Sequence, residues 1–84
     1  MYRIEFSRQS VKALRRAPAK VSAAIRVALE RLAADPQAAR NVRRLVGLDA
    51  YRLRVGEWRV VYELDRGALV VIVIRIASRA EAYE

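Results

Sequence analysis

The sequence predicts an α+β fold in which two N-terminal antiparallel helices pack on one face of a small, mostly antiparallel twisted sheet. Apolar residues recur at helical spacing between residues 8 and 35, and the pattern changes to strict alternation from residue 51 onward. A chain of 84 residues is long enough for one hydrophobic core and too short for two. We therefore predict a single domain over residues 1–84 with the element order β-α-α-β-β-β.

In the N-terminal half, alternating apolar residues predict a short strand over Tyr2 to Phe6. Ser7 stands where a helix cap is expected, and a first helix follows from about Arg8 to Arg16. Pro18 suits the first turn of a second helix, which Asp35-Pro36 ends. The segment Gln37 to Asp49 has weaker periodicity, and we interpret it as a connection into the sheet.

A hairpin is predicted on both sides of Gly56-Glu57, because apolar residues alternate there with arginines. Glycine at the first loop position suits a two-residue type II′ turn, which pairs Val55 with Trp58 and Arg54 with Arg59.

The last predicted strand follows a turn at Asp65-Arg66-Gly67 and covers Ala68 to Ile76. It is rich in β-branched residues on both faces, so we expect a central or well-covered position. We expect the core to hold, from the sheet, Leu53, Val55, Val60, Tyr62, Val70, Ile72 and Ile74, and from the helices, Leu14, Ile25, Leu29 and Leu32.

The charge balance points to an anionic partner. The chain carries 17 Lys plus Arg against 9 Asp plus Glu, for a formal net charge of +8 and a pI near 11.0. All of these cations except Lys12 and Lys20 are arginines, whose planar fork suits phosphates and carboxylates. The sequence has no cysteine and no histidine. This composition argues against cysteine–histidine and serine–histidine triads and against zinc sites, and we predict neither a metal nor a cofactor.

The sequence also bears on location. The first ten residues lack the apolar region of a secretory signal, and the longest apolar run, Ala68 to Ile74, is far shorter than a membrane span. We expect a cytoplasmic protein with no membrane association.

One face of the predicted hairpin is dominated by arginine. If Leu53 and Val60 face the helices, then Arg52, Arg54 and Arg59 project together from the other face. Like charges opposite each other destabilise a sheet by a few tenths up to about 1 kcal/mol, so this arrangement suggests an anionic ligand. The alternative is a solvated face whose charge nearby glutamates partly neutralise.

Further basic residues are candidates for phosphate contacts that position a nucleic acid without reading its sequence. They are Arg40, Arg43, Arg44 and Arg75. The cations of the first helix are better interpreted as a solvated surface. Tyr83 alone could be either an edge tyrosine or a functional phenol.

The run from Tyr51 to Leu64, YRLRVGEWRVVYEL, together with Arg79 followed by Glu81-Ala82-Tyr83, resembles the signature of the RelE/ParE toxin superfamily. The order strand, two helices, three strands matches over the whole chain. In the RelE branch the resemblance implies a microbial-ribonuclease type of fold that enters the ribosomal A site and cuts mRNA. The implied reaction is attack of a ribose 2′-hydroxyl on the neighbouring phosphate.

The resemblance also implies roles for individual residues, all of them catalytic candidates. Arg52 and Arg54 match basic positions close to the scissile phosphate, and Arg59 matches the arginine that stabilises transition-state charge. Arg79 matches the basic residue near the leaving oxygen, and Tyr83 matches the tyrosine that stacks on or orients the substrate base.

Two departures from the superfamily pattern bear on the mechanism. Arginine replaces lysine at Arg52 and Arg54, and a guanidinium is a poor general base at neutral pH. The proton acceptor is then Tyr83 or ribosomal RNA, or the reaction depends mainly on electrostatics and alignment. Ala77-Ser78 stands before Arg79 where relatives have glycine and histidine, so we expect reduced activity.

The resemblance further implies a cognate antitoxin, and an acidic, partly apolar segment that folds on binding would suit the basic surface. The other expected partners are the ribosome and mRNA, with DNA reached only through the antitoxin. Two alternatives stay open: a ParE-like inhibitor of DNA gyrase, and an attenuated homologue that only binds its antitoxin.

Overall fold

A computed structural model describes residues 1–45 and 49–82 of the protein, with side chains up to residue 80. The predicted role of Tyr83 therefore lies outside the described residues. The elements, in chain order, are β1 (Arg3–Phe6), α1 (Arg8–Arg16), α2 (Ala19–Ala34), a short 3-10 helix (Pro36–Ala38), β2 (Val42–Arg44), β3 (Ala50–Val55), β4 (Trp58–Asp65), β5 (Val70–Ser78) and α3 (Arg79–Ala82).

The predicted fold class is confirmed: two helices accompany a five-stranded mixed sheet in the order β1-β5-β4-β3-β2. Only β1 runs parallel to its neighbour, β5, and the other strand pairs are antiparallel. The segment interpreted as a connection contains one more strand than predicted, β2. Its three residues are too few to give a period-two signal, and two of them are exposed arginines.

Both helices begin close to the predicted residues. The Ser7 side chain accepts a hydrogen bond from the backbone N–H of Ser10 at 3.1 Å, which caps α1 as expected. Pro18 occupies the cap position before α2 rather than its first turn, and the helix ends at Ala34.

The β3–β4 hairpin forms as predicted. Val55 pairs with Trp58 and Arg54 pairs with Arg59 across the two-residue loop. Gly56 has a φ of +59°, the left-handed value that the first position of a type II′ turn requires, and Glu57 does not share it.

Of the three β5 side chains predicted for the core, Val70 is buried as expected, but the prediction was wrong for Ile72 and Ile74. Val71, Val73 and Ile76 are buried against the helices, whereas Ile72 is only half-buried and Ile74 is 37% exposed. The pairing of Asp65 with Val70 across a four-residue loop sets the register. Because both faces of this strand are apolar, the sequence does not indicate which face is buried.

A β-bulge in β5 changes the alternation of its side chains. Val61 of β4 pairs with Arg75 and Tyr62 pairs with Val73, so Ile74 has no residue opposite it. The extra residue moves Arg75 to the side of the sheet away from the helices and returns Ile76 to the core.

The core lies between the helices and one sheet face. Its largest fully buried side chains are Tyr62, Ile25, Leu29, Leu32, Ile76, Val60, Val71 and Val73. The α2 and β4 members agree with the predicted set. Among the described residues, no helix is long and apolar enough to cross a membrane, and no cluster of acidic side chains could hold a metal ion.

Candidate nucleic-acid interface

The sheet face that points away from the helices carries arginines from neighbouring strands. The cross-strand pairs Arg43–Arg52 and Arg54–Arg59 place four guanidinium-bearing side chains on β2, β3 and β4, and the bulge adds a fifth from β5. We call this surface the arginine face: Arg43, Arg52, Arg54, Arg59 and Arg75.

Four of these arginines line a shallow depression of about 380 Å³, together with Asn41 and Val42. None of the described residues lining it is acidic. Two like-charged pairs directly opposite each other cost the sheet about 0.2–1 kcal/mol each. A bound phosphate would reverse the sign of this contribution, because two guanidinium groups can share one anion.

Asn41 holds Arg54 in place from the neighbouring chain segment. Its backbone carbonyl accepts the Arg54 N–H at 2.9 Å, and its side-chain Oδ1 accepts from the guanidinium Nη2 at 3.1 Å. Asn41 has a φ of +61°, a conformation that asparagine adopts more readily than most residues. This role of Asn41 was not predicted, because it depends on a left-handed backbone conformation beside a strand too short to recognise from sequence.

Arg59 is anchored by neutral atoms. Its Nη1 donates to the backbone carbonyls of Gly56 and Trp58, both at 3.1 Å. Carbonyl oxygens orient the guanidinium without cancelling its charge, so Arg59 stays available to an anion.

Two side chains at the start of α1 fix the backbone of the bulge that directs Arg75. The Ser7 hydroxyl donates to the carbonyl of Ile74 at 2.5 Å. The Gln9 amide donates to the carbonyl of Ile76 at 2.9 Å and accepts from its N–H at 3.0 Å. The backbone pairing of β1 with β5 stops at Phe6, and beyond that point these side chains supply the hydrogen bonds to the β5 backbone. This role of Gln9 was not predicted.

Arg79 lies at the end of the sheet beside the hairpin turn. Its backbone N–H donates to the carbonyl of Glu57 at 2.6 Å, and its guanidinium lies 4.0 Å from the carboxylate of the same residue. Both side chains are largely exposed, so this ion pair contributes little to stability.

The remaining basic candidates do not share one surface. Arg43 belongs to the arginine face. Arg44 is the next residue of β2 and pairs with Tyr51. Because successive side chains of a strand alternate between the two sheet faces, Arg44 points to the opposite face. Arg40 borders a larger depression of about 580 Å³ beside α2, which meets the first depression at Asn41 and Arg54.

A second polar cluster lies at the opposite end of β3. The Tyr51 hydroxyl donates to Asp49 Oδ1 at 2.7 Å and accepts from Arg66 Nη2 at 3.1 Å, and its ring stacks on Tyr62 with centroids 5.3 Å apart. The hydrogen bond from Arg66 to Tyr51 raises the pKa of this exposed guanidinium further above neutrality. The cluster links two turns and lies apart from the depression.

The arginine face can bind phosphate and stabilise additional negative charge on it, since guanidinium groups stay protonated at every physiological pH. It supplies no proton acceptor, and the described residues contain no imidazole or thiol. Any acid–base step must use another group.

Comparison with known proteins places this small basic α+β domain among the toxins of type II toxin–antitoxin systems, within the RelE/ParE superfamily. A family described as the ParE toxin of the type II toxin–antitoxin system, parDE, matches residues 4–83. The chain belongs to this family.

Solved structures of related toxins share the fold. The toxin in the intact E. coli RelBE complex superposes with a TM-score of 0.80 at 23% identity, over 93% of this chain and 96% of that one. The archaeal RelE–RelB complex from Pyrococcus horikoshii OT3 gives 0.78 at 25% identity, over 93% and 94%. A crystal form of the isolated E. coli RelE toxin gives 0.76 at 27% identity, over 99% and 91%. Comparison with curated proteins by sequence gives no significant match.

Proposed function

We propose that this toxin is a ribosome-dependent endoribonuclease that cuts mRNA in the A site and so inhibits translation in the cytoplasm. The observation that carries the proposal is the pair of cross-strand arginine contacts on one sheet face, Arg43–Arg52 and Arg54–Arg59, around a depression with no acidic lining. The similarity to RelE structures at 25–27% identity supports the same reading.

In the proposed reaction, the ribose 2′-hydroxyl attacks the adjacent phosphorus and the bond to the 5′-oxygen of the next nucleotide breaks. The products are a 2′,3′-cyclic phosphate and a 5′-hydroxyl. Negative charge grows on the phosphorane oxygens during attack, and donors already aimed at those oxygens lower the barrier. Arg59 and Arg54 are suited to this role because both are pre-oriented, by carbonyl oxygens and by Asn41. Arg52 and Arg79 would contact the flanking phosphate oxygens and the leaving oxygen.

Proton transfer is the step for which the arginine face offers nothing. The proton leaving the 2′-hydroxyl passes to Tyr83 or to a group of ribosomal RNA, or the barrier is lowered mainly by alignment and charge. A dependence on the ribosome follows naturally, since the ribosome fixes the message and adds groups that the toxin lacks. Ala77-Ser78, in place of the glycine and histidine of relatives, predicts a lower rate.

The test is primer extension on a reporter mRNA in a reconstituted translation reaction, with and without the purified toxin. Discrete cuts within the A-site codon that disappear when ribosomes are omitted would establish the proposal. Cuts in free mRNA would indicate a ribosome-independent nuclease, and intact message at all toxin concentrations would refute cleavage.

Inhibition of DNA gyrase is the second candidate, and the match to the ParE toxin family favours it. In that case the arginine face would be structural or would contact a protein–DNA complex. A supercoiling assay with purified gyrase separates the two functions, because a ribosome-dependent nuclease leaves supercoiling unchanged.

We also propose a cognate antitoxin as the resident partner. Several of the similar structures are complexes of a RelE toxin with RelB. A disordered acidic segment would complement the net charge of +8 and would order on binding. Contact with DNA would then occur only through the antitoxin.

A further inference from the structure

A separate depression of about 340 Å³ lies at the end of the sheet on the helix side. Its apolar lining comes from Ala13, Pro18, Trp58 and Ile76, and its polar rim from Gln9, Lys12 and Arg16. Trp58 is the only tryptophan of the chain and is half-buried there. None of these residues belongs to the arginine face.

The rim cations belong to a positively charged stripe on α1. Arg8, Lys12, Arg15 and Arg16 are all exposed and fall within an arc of roughly 100° at 3.6 residues per turn, opposite the buried Leu14. Like charges spaced by four residues destabilise a helix. The helix contains no acidic residue, and among the described residues neither Lys12 nor Arg16 forms a salt bridge.

The depression lies at the same end of the sheet as two of the proposed catalytic arginines. Trp58 pairs with Ser78, directly before Arg79, and it directly precedes Arg59, whose side chain points to the opposite face. A strand of nucleic acid leaving the arginine face around the hairpin turn would therefore reach Trp58 next.

We propose that this depression binds one nucleotide of a single-stranded RNA, with the base stacked on the indole of Trp58 and the phosphate held between Lys12 and Arg16. Aromatic rings flanked by cations are the common platform for unpaired nucleotides, because every base has a π-face and every nucleotide a phosphate. The choice of ligand rests on the proposed ribonuclease function, and the site extends its substrate contact beyond the scissile phosphate.

The size of the depression favours a nucleotide over a peptide helix. Small-ligand pockets have volumes of about 300–1,000 Å³, and this one is near the lower limit. A docked amphipathic helix is about 10 Å wide and needs apolar anchors along several turns. Here the apolar lining comes from four residues, of which one is aromatic.

The experiment uses the fluorescence of Trp58, which reports directly from the site. The full-length toxin is titrated with a short 2′-O-methyl oligoadenylate, which lacks the attacking hydroxyl and cannot be cleaved. The test variant is Lys12→Gln/Arg16→Gln. The matched control is Arg8→Gln/Arg15→Gln, which removes the same charge from the same exposed helix surface but does not line the depression.

We expect the oligonucleotide to quench Trp58 in the unchanged protein and in the control. The test variant should bind about tenfold more weakly than the control, and the slope of log K against log salt should decrease by about 0.7, the value expected for the loss of one phosphate contact on a single strand. Equal affinity of the two variants, or no quenching at saturation, would overturn the proposal. Quenching by oligoglutamate but not by RNA would also overturn it and would indicate a protein partner.

Failure here is distinguishable from failure of the proposed function. The primer-extension assay reports cleavage at the arginine face whether or not Trp58 is quenched. A toxin that cleaves on the ribosome without quenching would keep the ribonuclease function and lose this site.

Discussion

At the residue scale, the arginines differ in what holds them, and this decides which substitution is informative. Arg59 is oriented by two carbonyl oxygens at the hairpin turn and has no carboxylate among the partners that the structure describes. Its removal therefore takes away a positive charge aimed at a ligand and few contacts that stabilise the fold.

We predict that Arg59→Ala lowers the rate of mRNA cleavage by about 10²–10³-fold, which corresponds to roughly 3 kcal/mol of transition-state stabilisation. Both Arg59→Ala and Arg79→Ala should relieve the growth arrest that the toxin causes in cells that produce it. The rate is measured by primer extension, and thermal unfolding checks that the fold is kept. Arg26→Ala on α2 is the control, since Arg26 is an exposed arginine that lines none of the depressions described. Full toxicity in both Arg59→Ala and Arg79→Ala would contradict the catalytic assignment.

Tyr62 gives a prediction about pH. Burial, followed by the interaction with Tyr51, raises the pKa of its phenol from 10.0 to about 12. The folded protein therefore favours the protonated phenol, and this contribution is complete below pH 10 and is lost as pH rises from 10 through 12. The free energy of unfolding, measured by urea denaturation, should fall over this range by on the order of 2 kcal/mol more than in Tyr62→Phe. Parallel pH profiles for the two proteins would show that the phenol does not titrate in this way.

At the element scale, β3, β4 and their turn could be predicted because one residue fixed the geometry. Gly56 permits the positive φ of a two-residue loop, and the loop length sets every later pair in the hairpin, including Arg54 with Arg59. No such residue marks β5. Both of its faces are apolar, and its bulge at Ile74 depends on side chains of α1 that are distant in sequence, so alternation alone selected the wrong face.

The α1–β5 connection is itself testable, because Gln9 alone bonds both backbone groups of Ile76. Gln9→Ala should lower stability by about 1–2 kcal/mol and speed hydrogen exchange at the Ile76 amide, since both groups lose their partner. Cleavage should also fall, because Ser7 is then the only one of the two side chains at the start of α1 that still holds the bulge that directs Arg75. Arg8→Ala is the control at the adjacent exposed position. Unchanged Ile76 exchange in Gln9→Ala would show that the bulge does not need this side chain.

At the scale of the whole molecule, the residues of the candidate site differ in how well the sequence predicts their positions. The hairpin arginines Arg52, Arg54 and Arg59 could be placed on one face from sequence, because strand alternation and turn length suffice. Arg43 joins them only through β2, which is too short to predict, and Asn41 only through a left-handed backbone conformation. The sequence thus predicts the charge of the surface, whereas the depression depends on tertiary pairing.

A net charge of +8 on a chain of 84 residues makes the folded state self-repelling, and the arginine face concentrates that repulsion. Any salt should raise Tm by screening, but phosphate should raise it further if the face binds anions specifically. At about ten times its Kd, a ligand that binds only the folded state adds about 1.4 kcal/mol, or roughly 6–11 °C for a domain of this size.

We therefore predict a higher Tm in phosphate than in chloride at matched ionic strength, measured by thermal unfolding, with a smaller excess in Arg54→Gln/Arg59→Gln than in the unchanged protein. The general stabilising effect of phosphate on protein surfaces is shared by all variants, so the excess must be compared between variants of equal charge. Arg8→Gln/Arg15→Gln provides that comparison, because it also removes two charges but changes no residue that lines the depression on the arginine face. An equal phosphate excess in both double variants would mean that the repulsion between the paired arginines is relieved by solvent and mobile ions alone, which is the solvated-face alternative.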